Sequence, residues 1–248
     1  MTAALRRLWC IAKKDIRIYY NRGPVIIFGI LFPAFLFMAF AWGRQVPAES
    51  PVPGLIGMAL FFTSSATTPA VFPFETRTRT MERLIAAPVT VPVLVAGDVM
   101  AAFLYGVFLS LIPVVISLGV IGAPVHSPLL LAVAIVLSAF CFAVLGSLFS
   151  TPPTDNPSSI MTISNLVRLP LIFVSGIFQP VTQMAPWFKG VAALSPLTYT
   201  TEAVRSAFGQ SVAFPPWVCL LALVGFCVGL WVVTVTLHRR NMPRRLSL

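Results

Sequence analysis

The sequence has little charge. Only 10% of its 248 residues are Asp, Glu, Lys or Arg, whereas an ordinary soluble domain carries about 25%. Hydrophobic residues make up 58% of the chain, and the mean hydropathy is +0.92. A compact soluble fold of this length could not cover so much apolar surface with polar side chains. The composition therefore excludes an ordinary soluble globular protein.

Groups for acid–base or metal chemistry are also scarce. The chain has seven acidic residues and two histidines, and most of the acidic residues fall near the ends of the predicted membrane spans. His126 and His238 fall on opposite sides of the membrane, so no histidine-based metal site or catalytic triad is expected. A glycine-rich phosphate-binding motif is missing as well. We expect a chain that is not an enzyme by itself, with no catalytic residues, no metal and no bound cofactor.

The cysteines and the net charge give no support to a metal-binding protein or a nucleic-acid-binding protein. The four cysteines lie in apolar or amphipathic stretches without metal-ligand spacing, which predicts small apolar core residues. A net charge of +10 would suggest nucleic acid in a soluble protein. Here the basic residues sit at the ends of predicted helices, and the chain carries no recognition motif. We expect no binding to nucleic acid.

Long apolar runs divide the chain into membrane spans. Residues 99–154 form a run of 56 without a charge, and about 20 residues are enough to cross a hydrocarbon core. Turn-forming residues at 119–128 split this run into two spans. The sequence predicts an all-α integral membrane protein with six transmembrane helices in a single domain, 1–248. The spans are 23–43, 53–74, 92–121, 127–150, 157–178 and 214–237.

Basic residues predict the orientation. Segment 1–22, loop 75–91 and the C-terminal segment together hold thirteen Lys and Arg residues, whereas the opposite side holds three. The positive-inside rule places both termini in the cytoplasm of a cell-membrane protein. Residues 4–20 have a helical period with an apolar stripe, which predicts an interfacial amphipathic helix within 1–22. A solvated helix is the alternative.

Two segments between the spans have unusual compositions. Loop 75–91 contains the charged stretch "ETRTRTMERL", which favours a short cytoplasmic surface helix; a positive-inside anchor without a partner is the alternative. Segment 179–213 has little charge and many helix breakers. Ser195-Pro196 predicts a helix start, Gly209 a helix end, and Glu202 and Arg205 an i,i+3 pair. Helices too short to span would be re-entrant or interfacial; an ordinary external loop is the alternative.

Arg168 is the one charged residue well inside a predicted span. Arginine at a helix centre costs about 2.5–3.5 kcal/mol on insertion scales, so such residues usually face a bundle interior or a cavity. Arg168 could therefore line a pathway or pair across a helix interface. Its side chain could instead reach the cytoplasmic surface, if the span begins later than residue 157.

Three stretches in order resemble the ABC-2 type permeases, the membrane subunits of ATP-binding-cassette exporters for drugs, polysaccharides and lipids. They are "MERLIAAPVTVPVLVAGDV" (81–99), "LPLIFVSGIFQPVTQMAPWF" (169–188) and "SPLTYTTEAVR" (195–205). The resemblance covers almost the whole chain. Arg168 departs from it, because the family pattern leads us to expect an apolar residue there.

The resemblance implies specific roles and partners. Loop 75–91 would be a coupling helix seated on a separate cytoplasmic ATPase subunit, which would bind the ATP and magnesium. The N-terminal helix would also touch this ATPase. The apolar face of the loop would dock, and its charged residues would fix the register. The residues implied for coupling are Arg77, Arg79, Met81, Glu82, Arg83, Leu84, Ile85 and Pro88.

The rest of the family pattern assigns a pathway and an external gate. Two permease copies, identical or related, would enclose a route for an amphiphilic, drug-like, lipid or polysaccharide substrate among membrane lipids, and would export it. Pathway candidates are Arg168, Pro170, Phe173, Ser175, Gly176 and Phe178. The re-entrant pieces would gate the external side, with Pro186, Trp187, Pro196, Tyr199, Glu202 and Arg205 as candidates.

Two other functions, a secondary transporter or channel and a membrane enzyme, are alternatives. A secondary transporter or channel would work without an ATPase, but such carriers usually place carboxylates within the membrane and show repeated halves. The sequence shows neither clearly. A membrane enzyme is disfavoured by the lack of acid–base pairs: Gly97-Asp98 resembles part of an intramembrane aspartyl protease motif, but the expected preceding glycine is absent.

Overall fold

The computed structural model describes residues 2–21, part of 25–39, residues 50–86 and residues 89–246. Every regular element in these ranges is a helix. Five segments are long and apolar enough to cross a membrane: Val52–Arg77, Val91–Gly119, Pro128–Phe149, Pro157–Val174 and Pro216–Arg245. They correspond to five of the six predicted spans. The predicted first span, 23–43, lies largely outside the described residues.

We number the described helices α1 to α10 along the chain. A π-helical turn, Ile16–Tyr20, extends α1, and another, Ser117–Ile121, extends α5. A short 3-10 turn, Val181–Gln183, precedes α8. The helices are α1 (Thr2–Asp15), α2 (Val52–Ser65), α3 (Thr68–Arg77), α4 (Thr80–Ala86), α5 (Val91–Ile116), α6 (Pro128–Phe149), α7 (Pro157–Val174), α8 (Pro186–Ala192), α9 (Pro196–Ala207) and α10 (Pro216–Leu246).

Local sequence signals determine where several helices begin and end. Eight of them, α2, α3 and α5 to α10, carry a proline in the first turn, where its missing N–H is not needed. The Asn156 side chain caps α7 by accepting a hydrogen bond from the Ser158 N–H at 3.1 Å. The predicted start at Pro196 and the predicted end near Gly209, whose φ is +71°, are both confirmed.

The predicted second span is two helices rather than one. It is interrupted at Ala66 and Thr67, between α2 and α3. Pro69 follows directly, and a proline lacks the N–H that would bond to the carbonyl four residues earlier, which here is that of Ser65. The interruption therefore lies just before a proline that favours it, whereas the sequence predicts a continuous span.

Two apolar clusters lie at the two ends of the bundle. One joins α1, α3, α4, the start of α5 and the end of α10, through residues such as Ile11, Phe72, Met81 and Val95. We call this the basic end, because the basic residues of α1, of loop 75–91 and of the end of α10 lie there. The other cluster joins α2, α6 and α9, and we call it the α9 end.

Candidate functional site

The turn between α3 and α4 explains the threonine-rich sequence of the loop. Thr78 donates its hydroxyl to the Phe74 carbonyl at 2.8 Å, and Thr80 donates to the Glu75 carbonyl at 3.3 Å. The Phe74 carbonyl also accepts the Thr78 N–H at 2.9 Å, whereas the Glu75 carbonyl at the end of α3 is satisfied by hydroxyl groups. Between them Arg79 has a φ of +54°, which reverses the chain direction. The loop is thus a fixed helix–turn–helix corner.

The short surface helix predicted in this loop is present as α4, but its apolar side faces inward. Met81 is only 2% exposed and packs in the cluster of the basic end with Phe72 and Leu94. It is therefore not available to a partner in this structure, which differs from the docking role that the resemblance implied. The exposed coupling candidates are Arg77, Arg79, Glu82 and Arg83. Pro88 and the Ile85 side chain lie outside the described residues.

A cavity of about 850 Å³ opens beside α4. Its walls come from the end of α1, the break between α2 and α3, α3, α4 and the start of α7. Most of the lining is apolar, and the charged side chains Lys14, Glu75 and Arg83 and three threonine hydroxyls lie among it. Volumes of roughly 300–1,000 Å³ are usual for small-molecule sites. Its apolar lining includes Ile18, Tyr19, Ala70, Phe74, Leu84 and Met161.

Behind the cavity lies a cluster of buried carboxylates that sequence reasoning missed. Lys14 contacts Glu75 and lies 3.0 Å from the Asp15 carboxylate. Asp98 is buried in α5, close to Ser147 and within the electrostatic field of these three residues. The three acids lie far apart in sequence, so only the packing of α1, α3 and α5 brings them together.

The charges of this cluster act on one another. Burial raises the pKa of Asp15 to about 7, against the opposing effect of Lys14. Burial acts to lower the pKa of Lys14, but Asp15 and Glu75 outweigh it, and the pKa is raised. Within the described residues, no group of three His, Cys, Asp or Glu side chains is placed to hold a metal ion. The cluster can hold protons and charge.

Arg168 is buried inside the bundle and does not reach the surface. It is 1% exposed, and its guanidinium donates to the Ser65 carbonyl and to Asn165 Oδ1, the latter at 3.3 Å. The guanidinium carbon lies 5.9 Å from the centre of the Phe149 ring. Of the two alternatives, the structure places this residue at a helix interface between α7 and the end of α2.

The other pathway candidates fall into two groups. Ser175 and Gly176 are buried where α7 ends, whereas Phe178 is half-buried. Pro170 and Phe173 lie on the outer face of α7, where Phe173 is 49% exposed. The structure therefore does not bring all six candidates to one surface.

A joint between α7 and α9 forms around Ser175 and Gly176. Thr201 donates to the Ser175 carbonyl at 2.9 Å, and Arg205 donates to the Gly176 carbonyl at 3.2 Å. Arg205 also pairs with Glu202 at 2.9 Å, so the predicted i,i+3 pair is confirmed. Both of its side chains are buried. The joint thus buries a pair of charges and two carbonyls that accept hydrogen bonds from α9.

The remaining gate candidates lie around this joint. Pro196 is buried at the start of α9, and the half-buried Tyr199 donates its hydroxyl to the Ala193 carbonyl at 2.9 Å. Pro186 and Trp187 are exposed on α8, and the Trp187 ring packs edge-on against Phe188. An exposed tryptophan is typical of a membrane–water interface. Within the predicted re-entrant region, α9 is therefore buried and α8 lies on the surface.

The fold and these sites define a multi-pass helical membrane protein with a charged corner, an adjoining cavity and a buried helix at the opposite end. The sequence model of the ABC-2 type transporter family matches residues 6–209, and the chain belongs to this family. Family membership makes the chain a membrane subunit of an ABC transport system and implies an ATPase partner.

Curated relatives agree with this assignment. The inner membrane transport permease YadH of Escherichia coli (strain K12) is 29% identical over 194 residues, which are 78% of this chain and 75% of that protein. The permease of the same name from Shigella flexneri has the same identity and coverage. The chain is thus similar to bacterial inner-membrane transport permeases along most of its length.

Proposed function

We propose that this chain is the permease subunit of an ABC exporter that moves an amphiphilic molecule out of the cell. The observation that carries the proposal is the cavity of about 850 Å³ at the basic end, which places an apolar wall beside charged and hydroxyl groups. An amphiphile has the same two parts. Drug-like molecules, lipids and lipid-linked polysaccharides all meet this description.

The exposed charges of α4 supply the surface on which an ATPase would act. Arg83 lies both on this exposed surface and in the cavity lining, so a partner seated on α4 would touch a wall of the cavity. ATP binding and hydrolysis by that partner would shift the population between inward- and outward-open states. Two permease copies, identical or related, would enclose the pathway. The ATP and magnesium would belong to the partner, and this chain would catalyse no reaction.

The basic residues suggest how the chain is oriented in the membrane. Because the basic residues of α1, loop 75–91 and the end of α10 share one end of the bundle, we propose that this end and both termini face the cytoplasm. Cysteine labelling with an impermeant reagent tests this, using Thr80→Cys and Thr182→Cys as a matched pair of exposed positions. The exposed Cys10 is first replaced by serine. Thr182→Cys should react in intact cells, and Thr80→Cys only in inverted vesicles; the reverse would overturn the orientation.

One observation favours a second candidate, an ion-coupled carrier. Asp98 is a carboxylate buried within a membrane span, and the carboxylates Asp15 and Glu75 lie close enough to act on its charge. Carriers that use proton gradients depend on such groups. The ABC exporter remains the better proposal, because α4 and its corner have no role in a carrier that works alone.

Purification from native membranes tests the proposal. The tagged chain is solubilised in mild detergent, and mass spectrometry identifies the proteins and amphiphiles that remain bound. We expect an ABC ATPase subunit to co-purify. Inverted vesicles then separate the two candidates: ATP should drive uptake even when an ionophore removes the proton gradient. Uptake that needs the gradient and ignores ATP would favour the carrier.

A further inference from the structure

In the second span, one buried carbonyl has no hydrogen-bond donor from its own helix. Pro69 has no N–H to give to the Ser65 carbonyl, and α2 ends at Ser65 for this reason. A carbonyl without a donor is costly at this depth, since no bulk water reaches it. The break therefore creates a site that a donor from another helix must fill.

Arg168 of α7 is that donor. Its guanidinium bonds to the Ser65 carbonyl across the helix interface, and the residue is almost fully buried. The contact thus replaces a hydrogen bond within one helix by a charge-assisted bond between two helices, which is the stronger kind. A neutral donor such as serine would be enough to satisfy the carbonyl, so the use of an arginine needs a further reason.

The position of the break supplies this reason. Ala66 and Thr67 line the cavity, and α3 runs from the break to the corner at α4. At its other end α3 is tied to α1 through Glu75 and Lys14. The helix α3 therefore lies between the surface proposed for the ATPase and the bond made by Arg168.

We propose that Arg168 is a positioning residue that holds α7 against the end of α2, at the break from which α3 begins, so that a push on α4 carried along α3 moves two walls of the cavity together. Met161, which lies two helical turns before Arg168 on α7, lines the cavity opposite α3. The inference rests on the proposed function in one respect, the action of an ATPase on α4. The link between α7 and the break that separates α2 from α3 is a property of the permease alone.

The experiment distinguishes two roles of Arg168: holding α7 in place, and only supplying a hydrogen bond to the Ser65 carbonyl. It uses the full-length permease with Arg168→Leu, Pro69→Ala and the double variant. Pro69→Ala supplies the missing N–H to Ser65, so the carbonyl no longer needs Arg168. Ser164→Ala is the matched control, because Ser164 is buried on the same helix but bonds only within it.

Spin labels at Thr76→Cys and Leu166→Cys measure the distance between α3 and α7, after Cys10→Ser. Labels at Phe108→Cys and Val136→Cys measure a reference distance between α5 and α6. We expect Arg168→Leu to lower thermal stability and to broaden the α3–α7 distance distribution. In the double variant stability should return, but the α3–α7 distribution should stay broad. Pro69→Ala and Ser164→Ala alone should keep it narrow.

Transport and ATP hydrolysis are measured in the same variants. The number of molecules moved per ATP hydrolysed should fall about tenfold in Arg168→Leu and in the double variant. A tenfold change is what a two-state equilibrium shows when one hydrogen bond to a charged group is lost. A double variant with wild-type distance and wild-type coupling would overturn the proposal. If no ATPase supports transport, the proposed function fails, while the distance measurement still decides the role of Arg168.

Discussion

Two short helices at opposite ends of the bundle, α4 and α9, treat charged side chains in opposite ways. At the basic end, Glu82 and Arg83 are exposed on α4. At the α9 end, Glu202 and Arg205 are buried and pair at 2.9 Å. Exposed charges add little to stability but can meet a partner, whereas a buried pair fixes the helices that carry it. The comparison agrees with the proposal that α4 meets a partner, whereas α9 is held in a closed joint.

Charge reversal on α4 should give the largest effect. Arg83→Glu or Glu82→Lys places a like charge against the partner surface, which costs several kcal/mol at an interface. We expect loss of ATP-driven transport with normal membrane insertion, measured in inverted vesicles and by membrane fractionation. Arg240→Glu is the control, because it reverses an exposed arginine outside the loop. Unchanged transport in both α4 variants would remove the coupling role.

Breaking the buried pair should destabilise the α9 end. Arg205→Leu leaves Glu202 buried without its partner and should cost about 3–5 kcal/mol. Thermal unfolding of the purified permease measures this. Arg77→Leu, an exposed arginine at the basic end, should change stability by less than about 0.5 kcal/mol. Equal effects at the two positions would erase the contrast between the ends.

A glycine at the joint gives a smaller test. Gly176 has a φ of +75°, and an added Cβ would lie 2.7 Å from Val181 Cγ2. Gly176→Ala should destabilise the fold by roughly 1–2 kcal/mol from the left-handed backbone alone. Gly190→Ala is the matched control, since nothing lies within 4 Å of its added Cβ. If thermal unfolding gives both variants the same stability, the joint is looser than its contacts indicate.

Asp15 should make the stability of the basic end depend on pH. Because burial raises the pKa of Asp15 to about 7 in the folded state, the folded chain holds a proton that the unfolded chain releases at lower pH. Stability should therefore fall as pH rises, by about 1 kcal/mol between pH 6 and 8. Asp15→Asn should flatten this dependence in thermal unfolding curves. A slope that persists in the variant would assign it to another group.

The sequence predicted the features that depend on local pattern. Charge-free length located five spans, Ser195-Pro196 and Gly209 bounded α9, and the spacing of Glu202 and Arg205 predicted their pair. The break before Pro69 was not predicted, since Pro113 and Pro170 lie inside helices that continue past them. The family resemblance then assigned a coupling role to loop 75–91 and a gate role to segment 179–213, and both stay predictions.

The features that the sequence did not predict depend on which helices pack against one another. Met81 was expected to face a partner, yet it packs in the core. An apolar helix face has the same local sequence pattern whether it packs inside its own chain or against a partner protein. The approach of Asp15, Glu75 and Asp98 requires three separate helices to pack at one end. The bond from Arg168 to Ser65 joins residues from different spans for the same reason.

Reconstitution tests the central claim most directly. The purified permease is placed in liposomes with its co-purified ATPase, and uptake of a fluorescent amphiphile is followed with ATP or with a non-hydrolysable analogue. The account predicts uptake only when the ATPase is present and ATP is hydrolysed. Uptake at the same rate by the permease alone would contradict it.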